Sequence, residues 1–359
     1  EMLQRTLNAR LDPSPRLLVD GDFGSVTEVA VREFQRSRQL PETGIVDAAF
    51  WQALGPTVQA GNQPDMELVN AEQLPLAPPD DTDGPPFVTC RAWSIVDTAG
   101  GKTLWSHQAD EELNIASTTK IMTAWLVLKL ARSEPSVLEE TVVFSSRADG
   151  TIGSTSDLWT GEKLSVREAL YGLMLPSGND MSVALAEHFG ARLASVPSDD
   201  ASNATEAEPL DPLDQFVEAM NSEAPRLGMQ HTRYRNPHGL TAPGHLSTAA
   251  DLATLAKAAL ADERFRAYVS TRQHAAMVEG SSGYQRQIVW KNTNQLLGIE
   301  GYGGIKTGTT DAAGACLVST ASRGDRQLIL VVLGSAASPA RYTDSRNLYR
   351  WAWQELEEE

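Results

Sequence analysis

Apolar positions along the first 55 residues recur at helical spacing. Leu3, Leu7 and Leu11 predict one short helix. A turn-rich VDGDFGSVT follows, in which Gly21 and Gly24 can take positive φ. Thr27 is expected to open a second helix through TEVAVREFQRSRQL, with Val29, Val31, Phe34 and Leu40 as its apolar stripe. ETGIVDAAFWQALG then predicts a turn and a third helix closed by Gly55. The pattern lapses over 58–86, where Pro, Asp and Gly dominate, and an extended linker is expected. From Phe87 the pattern turns to α/β. VTCRAWSIVD and KTLWSHQ flank a TAGG turn, a hairpin signal. Helical periodicity dominates to about residue 275, interrupted by the polar, acidic stretch 196–212, read as a surface insertion. Two strands, AGACLVSTAS and RQLILVVLGS, and a helix from SPARYTDSRNLY onward complete the chain. Strands at both ends with helices between predict one sheet made from the two termini, with a helical lobe packed on it. The expected organisation is a small all-α domain over 1–57, a linker over 58–86 and an α/β (α+β) domain over 87–359.

Composition changes this picture little, but it excludes some functions. Hydrophobic residues make up 41% of the 359, enough for real cores. Thirty basic residues against 47 acidic give a formal charge of −17, which argues against nucleic acid as a partner. The sequence contains no apolar run long enough for a membrane span. It begins at Glu1 rather than Met, so removal of a leader or anchor is an expectation. Cys90 and Cys316 lie in strand-like segments and are expected to be buried thiols, one bridge between them being left open.

Three short motifs carry candidate chemistry. Ser117 and Lys120 lie three apart in IASTTKIMTA, so on a helix beginning near 117 they share a face. A serine hydroxyl needs an adjacent base to act as a nucleophile, and Lys120 is placed to be one. Alone, Ser-x-x-Lys is a common accident. LPSGND places Ser177 and Asn179 on a tight loop, with Asp180 able to cap the helix after it; Ser165 and Glu168 form a capping box for the helix before it. GGIKTGTTDAAG places Lys306, Thr307, Gly308 and Thr309 at the start of a strand. There Gly308 would let another molecule's backbone approach.

In this order and context the motifs match the combination found in penicillin-binding proteins and class A β-lactamases. Residues 87–355 resemble the serine D,D-peptidases, in particular the low-molecular-weight D-alanyl-D-alanine carboxypeptidases. NPHGLTAPGHLSTAADLATLA (236–256) and NTNQLL (292–297) agree. The segment 1–57 resembles a three-helix peptidoglycan-binding module on Asp20, Gly21, Phe23, Gly24, Phe34, Gly44, Asp47 and Trp51. The resemblance implies a β-lactamase-like fold and an acyl-enzyme on Ser117, with Lys120 as base. Lys120 would be kept neutral by the like charge of Lys306 across the cleft. Ser177 would relay a proton to the leaving amine, Asn179 would orient Lys120 or the substrate amide, and Lys306 and Thr307 would hold the terminal carboxylate. The backbone N–H groups of Ser117 and Thr309 would form the oxyanion hole. It implies no cofactor and no metal. The implied partners are peptidoglycan stem peptides and β-lactams, with the wall itself held by the first module. It also implies export to the bacterial periplasm or wall. Many relatives carry a membrane-lying C-terminal helix, whereas YRWAWQELEEE is acidic and would be repelled by an anionic surface. Wall attachment through residues 1–57 is the expected substitute.

The rival readings are weaker. A class A β-lactamase needs a deacylating glutamate in Glu-x-x-Leu-Asn, and FVEAMNSEA offers Glu218 and Asn221 at the wrong spacing. A zinc peptidase would draw on six histidines, of which His231, His238 and His245 fall seven apart without a ligand signature. A non-catalytic wall-binding or antibiotic-sensing protein would not need the full Ser117, Lys120, Ser177, Asn179, Lys306 set. A D,D-endopeptidase on the same fold is not separated from a carboxypeptidase by these residues.

Overall fold

The computed structural model describes residues 1–58, 88–194 and 210–358. The linker expected over 58–86, from residue 59 on, and the insertion expected over 196–212 up to residue 209, lie outside the described residues. Two compact units divide the chain. The first comprises the described N-terminal residues with Gly161–Lys163 and Ala275–Ile288; the second holds the rest.

In the N-terminal region helices run over Met2–Arg10, Ser25–Ser37 and Ala48–Leu54. Leu7, Leu11, Leu17, Ala30, Val31, Phe34, Phe50 and Leu54 form their core, with the Phe34 and Phe50 rings edge-to-face at 5.1 Å. The second helix departs from expectation. It starts at Ser25, and Thr27 lies buried inside it rather than capping it. The buried stripe is therefore Thr27, Ala30, Val31 and Phe34, while Val29 is exposed. The Gln4 amide fixes this register. It donates to Asp20 Oδ1 (2.7 Å) and the Asp22 carbonyl (3.0 Å), and it accepts from the Gly21 N–H. Asp47 caps the third helix through the Phe50 N–H, and Gly55 ends it at φ +71°.

The second unit carries an antiparallel five-stranded sheet. Its strands are β1 (Ala92–Asp97), β2 (Thr103–His107), β7 (Tyr302–Thr310), β8 (Gly314–Arg323) and β9 (Arg326–Ser335), in the order β2-β1-β9-β8-β7. Ile95 faces Leu330, Val331 faces Val318, and Val318 faces Lys306 across the ladder. The ends of the domain thus meet in one sheet. Its inner face is near-continuous Ile, Leu and Val, and the helix Ala340–Glu358 covers it through Tyr342, Leu348, Tyr349 and Trp353. Four further short strands were not expected: β3 (Thr141–Val143) in this unit, β4 (Lys163–Ser165) at the division, and β5 (Gln273–Glu279) and β6 (Gln285–Lys291), which fall largely in the first unit. They are brief and mix polar with apolar positions, so their period-2 signal is faint. Among the described residues no helix is long and apolar enough to cross a membrane. Cys90 and Cys316 are buried and free.

Candidate active site

Ser117 lies not on an α-helix but in a 3-10 turn, Ala116–Thr119, and Lys120 opens the α-helix Lys120–Ser133. The α-helix thus begins three residues later than the expected start near 117. The tighter turn eclipses positions three apart, which brings Lys120 Nζ to 3.0 Å from Ser117 Oγ. Lys120 is fully buried. Its nitrogen also lies 2.7 Å from Asn179 Oδ1 and 2.8 Å from the His238 carbonyl. Both of those groups only accept. A neutral amine has two N–H bonds and one lone pair. Donating to both leaves the lone pair for the hydroxyl proton of Ser117. Burial pushes the Lys120 pKa well below the ordinary lysine value, and the Lys306 charge lowers it further. Desolvation therefore ranks ahead of the like charge expected to do this work.

Asn179 opens the helix Asn179–Ala194. Its Nδ2 donates to the Ile152 carbonyl (2.8 Å) and its backbone N–H to the Ser154 carbonyl (2.7 Å). The side chain is thus engaged at both ends, and it aims at Lys120. The neighbouring Asp180 accepts from Thr155, from both donors of Ser156 and from the Met181 N–H, which pins the 152–156 loop. Ser177 is buried at φ +70°, a left-handed conformation that costs a non-glycine residue about 1–3 kcal/mol. Its hydroxyl has no hydrogen-bond partner among the described residues.

The opposite wall is β7. Lys306 is buried there, its Nζ 3.2 Å from the Thr307 carbonyl. Burial, and then the charge of Arg341, lower its pKa to about 7. Thr307 Oγ1 meets Thr293 Oγ1 at 2.7 Å. Gly308 is not open to an incoming backbone as expected. A Cβ there would lie 2.9 Å from Ser117 N and 3.0 Å from Ala116 Cβ, so the chain's own 115–117 segment occupies that approach. Thr309 is exposed at the rim and pairs with Ala315 across β8.

Sequence reasoning did not single out Arg341. Its Nη1 donates to the Gly308 carbonyl (2.9 Å), Thr309 Oγ1 (2.9 Å) and the Cys316 carbonyl (3.3 Å). Its buried Nε has no partner, and among the described residues no carboxylate lies within ion-pair distance of it. The signal was weak: one arginine at the head of a C-terminal helix, 35 positions beyond Lys306 in sequence (341 − 306). Two buried cationic groups with no acidic partner are costly unless an anion arrives.

The histidines do not gather as a metal site, and among the described residues no group of three or more His, Cys, Asp or Glu is placed to hold one. His231 lies near Glu112. Burial lowers the pKa of His238 to about 3 and of His245 to about 4, so both rings are neutral. Asn221 binds the Tyr234 backbone and Val217 carbonyl as lobe packing, and Glu218 is exposed on the helix Pro212–Arg226.

The D-alanyl-D-alanine carboxypeptidase family model matches residues 80–195 and 210–337, and that of a peptidoglycan binding domain matches residues 1–54. The chain is 32% identical over 278 residues to the D-alanyl-D-alanine carboxypeptidase DacC of Escherichia coli (strain K12), covering 76% of this chain but only 63% of DacC. It is 33% identical over 258 residues to the D-alanyl-D-alanine carboxypeptidase of Streptomyces sp. (strain K15), covering 70% of this chain and 83% of that one. The crystal structure of the Streptomyces K15 DD-transpeptidase superposes with a TM-score of 0.67 at 33% identity, over 76% of this chain and all of that one. A matching family model across most of the chain, set beside the Ser117, Lys120 and Lys306 cleft, shows that the chain belongs to the D-alanyl-D-alanine carboxypeptidase family.

Proposed function

We propose that the protein is a serine-type D-Ala-D-Ala carboxypeptidase that trims peptidoglycan stem peptides. The observation that carries this reading is the buried Lys120 Nζ, held within 3.0 Å of Ser117 Oγ by Asn179 Oδ1 and the His238 carbonyl. Ser117 Oγ attacks the carbonyl between two D-alanines while Lys120 takes its proton. The carbonyl electrons move onto oxygen, facing the Ser117 and Thr309 N–H groups. Collapse of that intermediate expels the terminal D-alanine, whose nitrogen receives a proton through Ser177, and leaves an ester on Ser117. Water then hydrolyses the ester. Asn179 holds Lys120 in place, and Lys306, Thr307 and Arg341 receive the terminal carboxylate, with Gly308 setting the gap. No step calls for a cofactor.

Residues 1–57 act, in this proposal, as a three-helix wall-binding module, 58–86 as a linker and 87–359 as a β-lactamase-like peptidase domain with an insertion near 196–212. The substrate places the enzyme outside the cytoplasmic membrane, in the periplasm or wall. Removing residues 1–57 should abolish pull-down by insoluble peptidoglycan and leave acylation intact; unchanged pull-down would sink the wall-binding role.

The catalytic reading is tested with a fluorescent penicillin on wild type and Ser117→Ala. Stable label on the first and none on the second is expected, followed by D-alanine release from a D-Ala-D-Ala peptide. Rapid loss of label with hydrolysed drug would indicate a β-lactamase, no label on wild type a wall-binding protein, and stable label without D-alanine release a sensor. The Streptomyces neighbour is named a DD-transpeptidase, so an amine acceptor is the second reading. Adding glycine to the peptide assay and looking for a D-Ala-Gly product separates the two.

A further inference from the structure

Behind the nucleophile runs a hydrogen-bond chain that none of the proposed catalytic roles uses. His245 is buried, and its Nδ1 accepts the Arg235 backbone N–H at 3.1 Å. A nitrogen that accepts carries no proton, so in the neutral ring the hydrogen sits on Nε2. Nε2 lies 2.9 Å from Thr119 Oγ1 and therefore donates to it. With that lone pair filled, the single Thr119 hydroxyl proton points to the Ala116 carbonyl, 2.8 Å away. Each donor has one acceptor, and the direction of the chain is fixed from Arg235 to Ala116.

Ala116 is where direction matters. It is held at φ +47°, in the left-handed region. Its carbonyl and the Ser117 N–H belong to one trans peptide plane and point in opposite directions. Gripping the carbonyl from behind therefore aims the N–H forward into the cleft. That N–H donates to no other group among the described residues. Gly239 presses on the same carbonyl, where a Cβ would come within 1.9 Å of the oxygen. On the other side Gly308 abuts Ser117 N. The plane is boxed front and back by glycine backbone, and besides the backbone bond of the 3-10 turn its carbonyl is tilted by the side-chain bond from Thr119.

We propose that His245, acting through Thr119, is a positioning residue that orients the Ser117 N–H as an oxyanion donor. This rests on the acyl-enzyme reading of Ser117. It adds that the buried histidine serves the transition state rather than only the packing of the lobe.

The test uses Thr119→Val, which keeps the shape and loses the hydroxyl, and His245→Asn, which keeps an acceptor for Arg235 and loses the Nε2 donor. Thr119→Ser is the conservative control. Acylation by a fluorescent penicillin is followed by stopped flow, and the ester carbonyl band of the acyl-enzyme by infrared difference spectroscopy. The expected result is an acylation rate constant about tenfold to a hundredfold lower in the first two variants, as for a displaced oxyanion donor. The dissociation constant of the encounter complex should be nearly unchanged. The ester band should move to higher wavenumber, because a carbonyl released from a donor stiffens. Thr119→Ser should restore both rate and band, and it is informative even if the other variants fold poorly. A slower rate with an unmoved ester band, or no change in either, would overturn the positioning role. Ser117→Ala run alongside separates the failures. Label on that variant removes the nucleophile reading itself; none on it, with Thr119→Val behaving as wild type, removes the positioning role alone.

Discussion

The two walls of the cleft each bury a lysine, and they treat it oppositely. On the helical wall Lys120 has two carbonyl-type acceptors and a hydroxyl within 3.0 Å. On the strand wall Lys306 has, among the described residues, a single carbonyl at 3.2 Å, and Arg341 donates to the Gly308 carbonyl of the same strand. Burial lowers both pKa values. The neighbours decide the chemistry each amine is fit for. A saturated amine with one free lone pair is suited to take a proton, whereas an under-satisfied cation beside a second cation is suited to an anion. Equal burial of the same residue type therefore does not imply equal roles.

The comparison breaks most readily at Lys120. Lys120→Met keeps the length of the side chain and removes the lone pair, and acylation should fall by about 10²–10⁴, the usual worth of a general base. A loss below tenfold, read by penicillin labelling kinetics, would move the base elsewhere. Next comes Arg341→Leu. Losing a charge-assisted contact costs about 1.5–3 kcal/mol, or roughly ten- to a hundredfold in KM for a peptide with a free terminal carboxylate. The same peptide as its carboxamide should be nearly indifferent. A smaller effect is expected from pH. Lys306 is charged below its pKa of about 7 and neutral above it, so KM for the free-carboxylate peptide should rise as pH climbs through about 7. The rate constant for acylation should not fall there, since burial favours the neutral amine of Lys120 and rising pH favours it further. Lys306→Arg should abolish that rise in KM. The smallest effect on acylation should come from Phe34→Ala. It removes a ring from the N-terminal core and costs that region about 3–5 kcal/mol. Wall pull-down should be lost and labelling kept, which would show that the two regions can fail separately.

Much of the fold and of the site was legible in the sequence, for identifiable reasons. The motif residues sit at turns and strand starts, where local rules apply: Ser165 accepts from the Glu168 N–H, Gly55 takes positive φ, and Lys306 lies on a strand. Arg341 was missed because its importance comes from pairing with Gly308 and Cys316, contacts made by the sheet and invisible to spacing. Val29 was assigned to the core because periodicity gives a stripe but not its phase; the phase here is set by Thr27 and Gln4. At Gly308 the spacing could not tell an incoming molecule from the chain's own 115–117 segment, which fills that approach.

That last contact has a consequence for how such a site changes over generations. The spacing between the nucleophile's turn and β7 is set by backbone atoms and the Ala116 methyl, which leaves no long side chain between them to shrink or repack. Gradual adjustment of ligand preference, including escape from an inhibitor, has no first step to take at that point. Variation that preserves the chemistry must instead enter from the rim, at residues such as Thr241, whose exposed side chain meets Thr310 Oγ1.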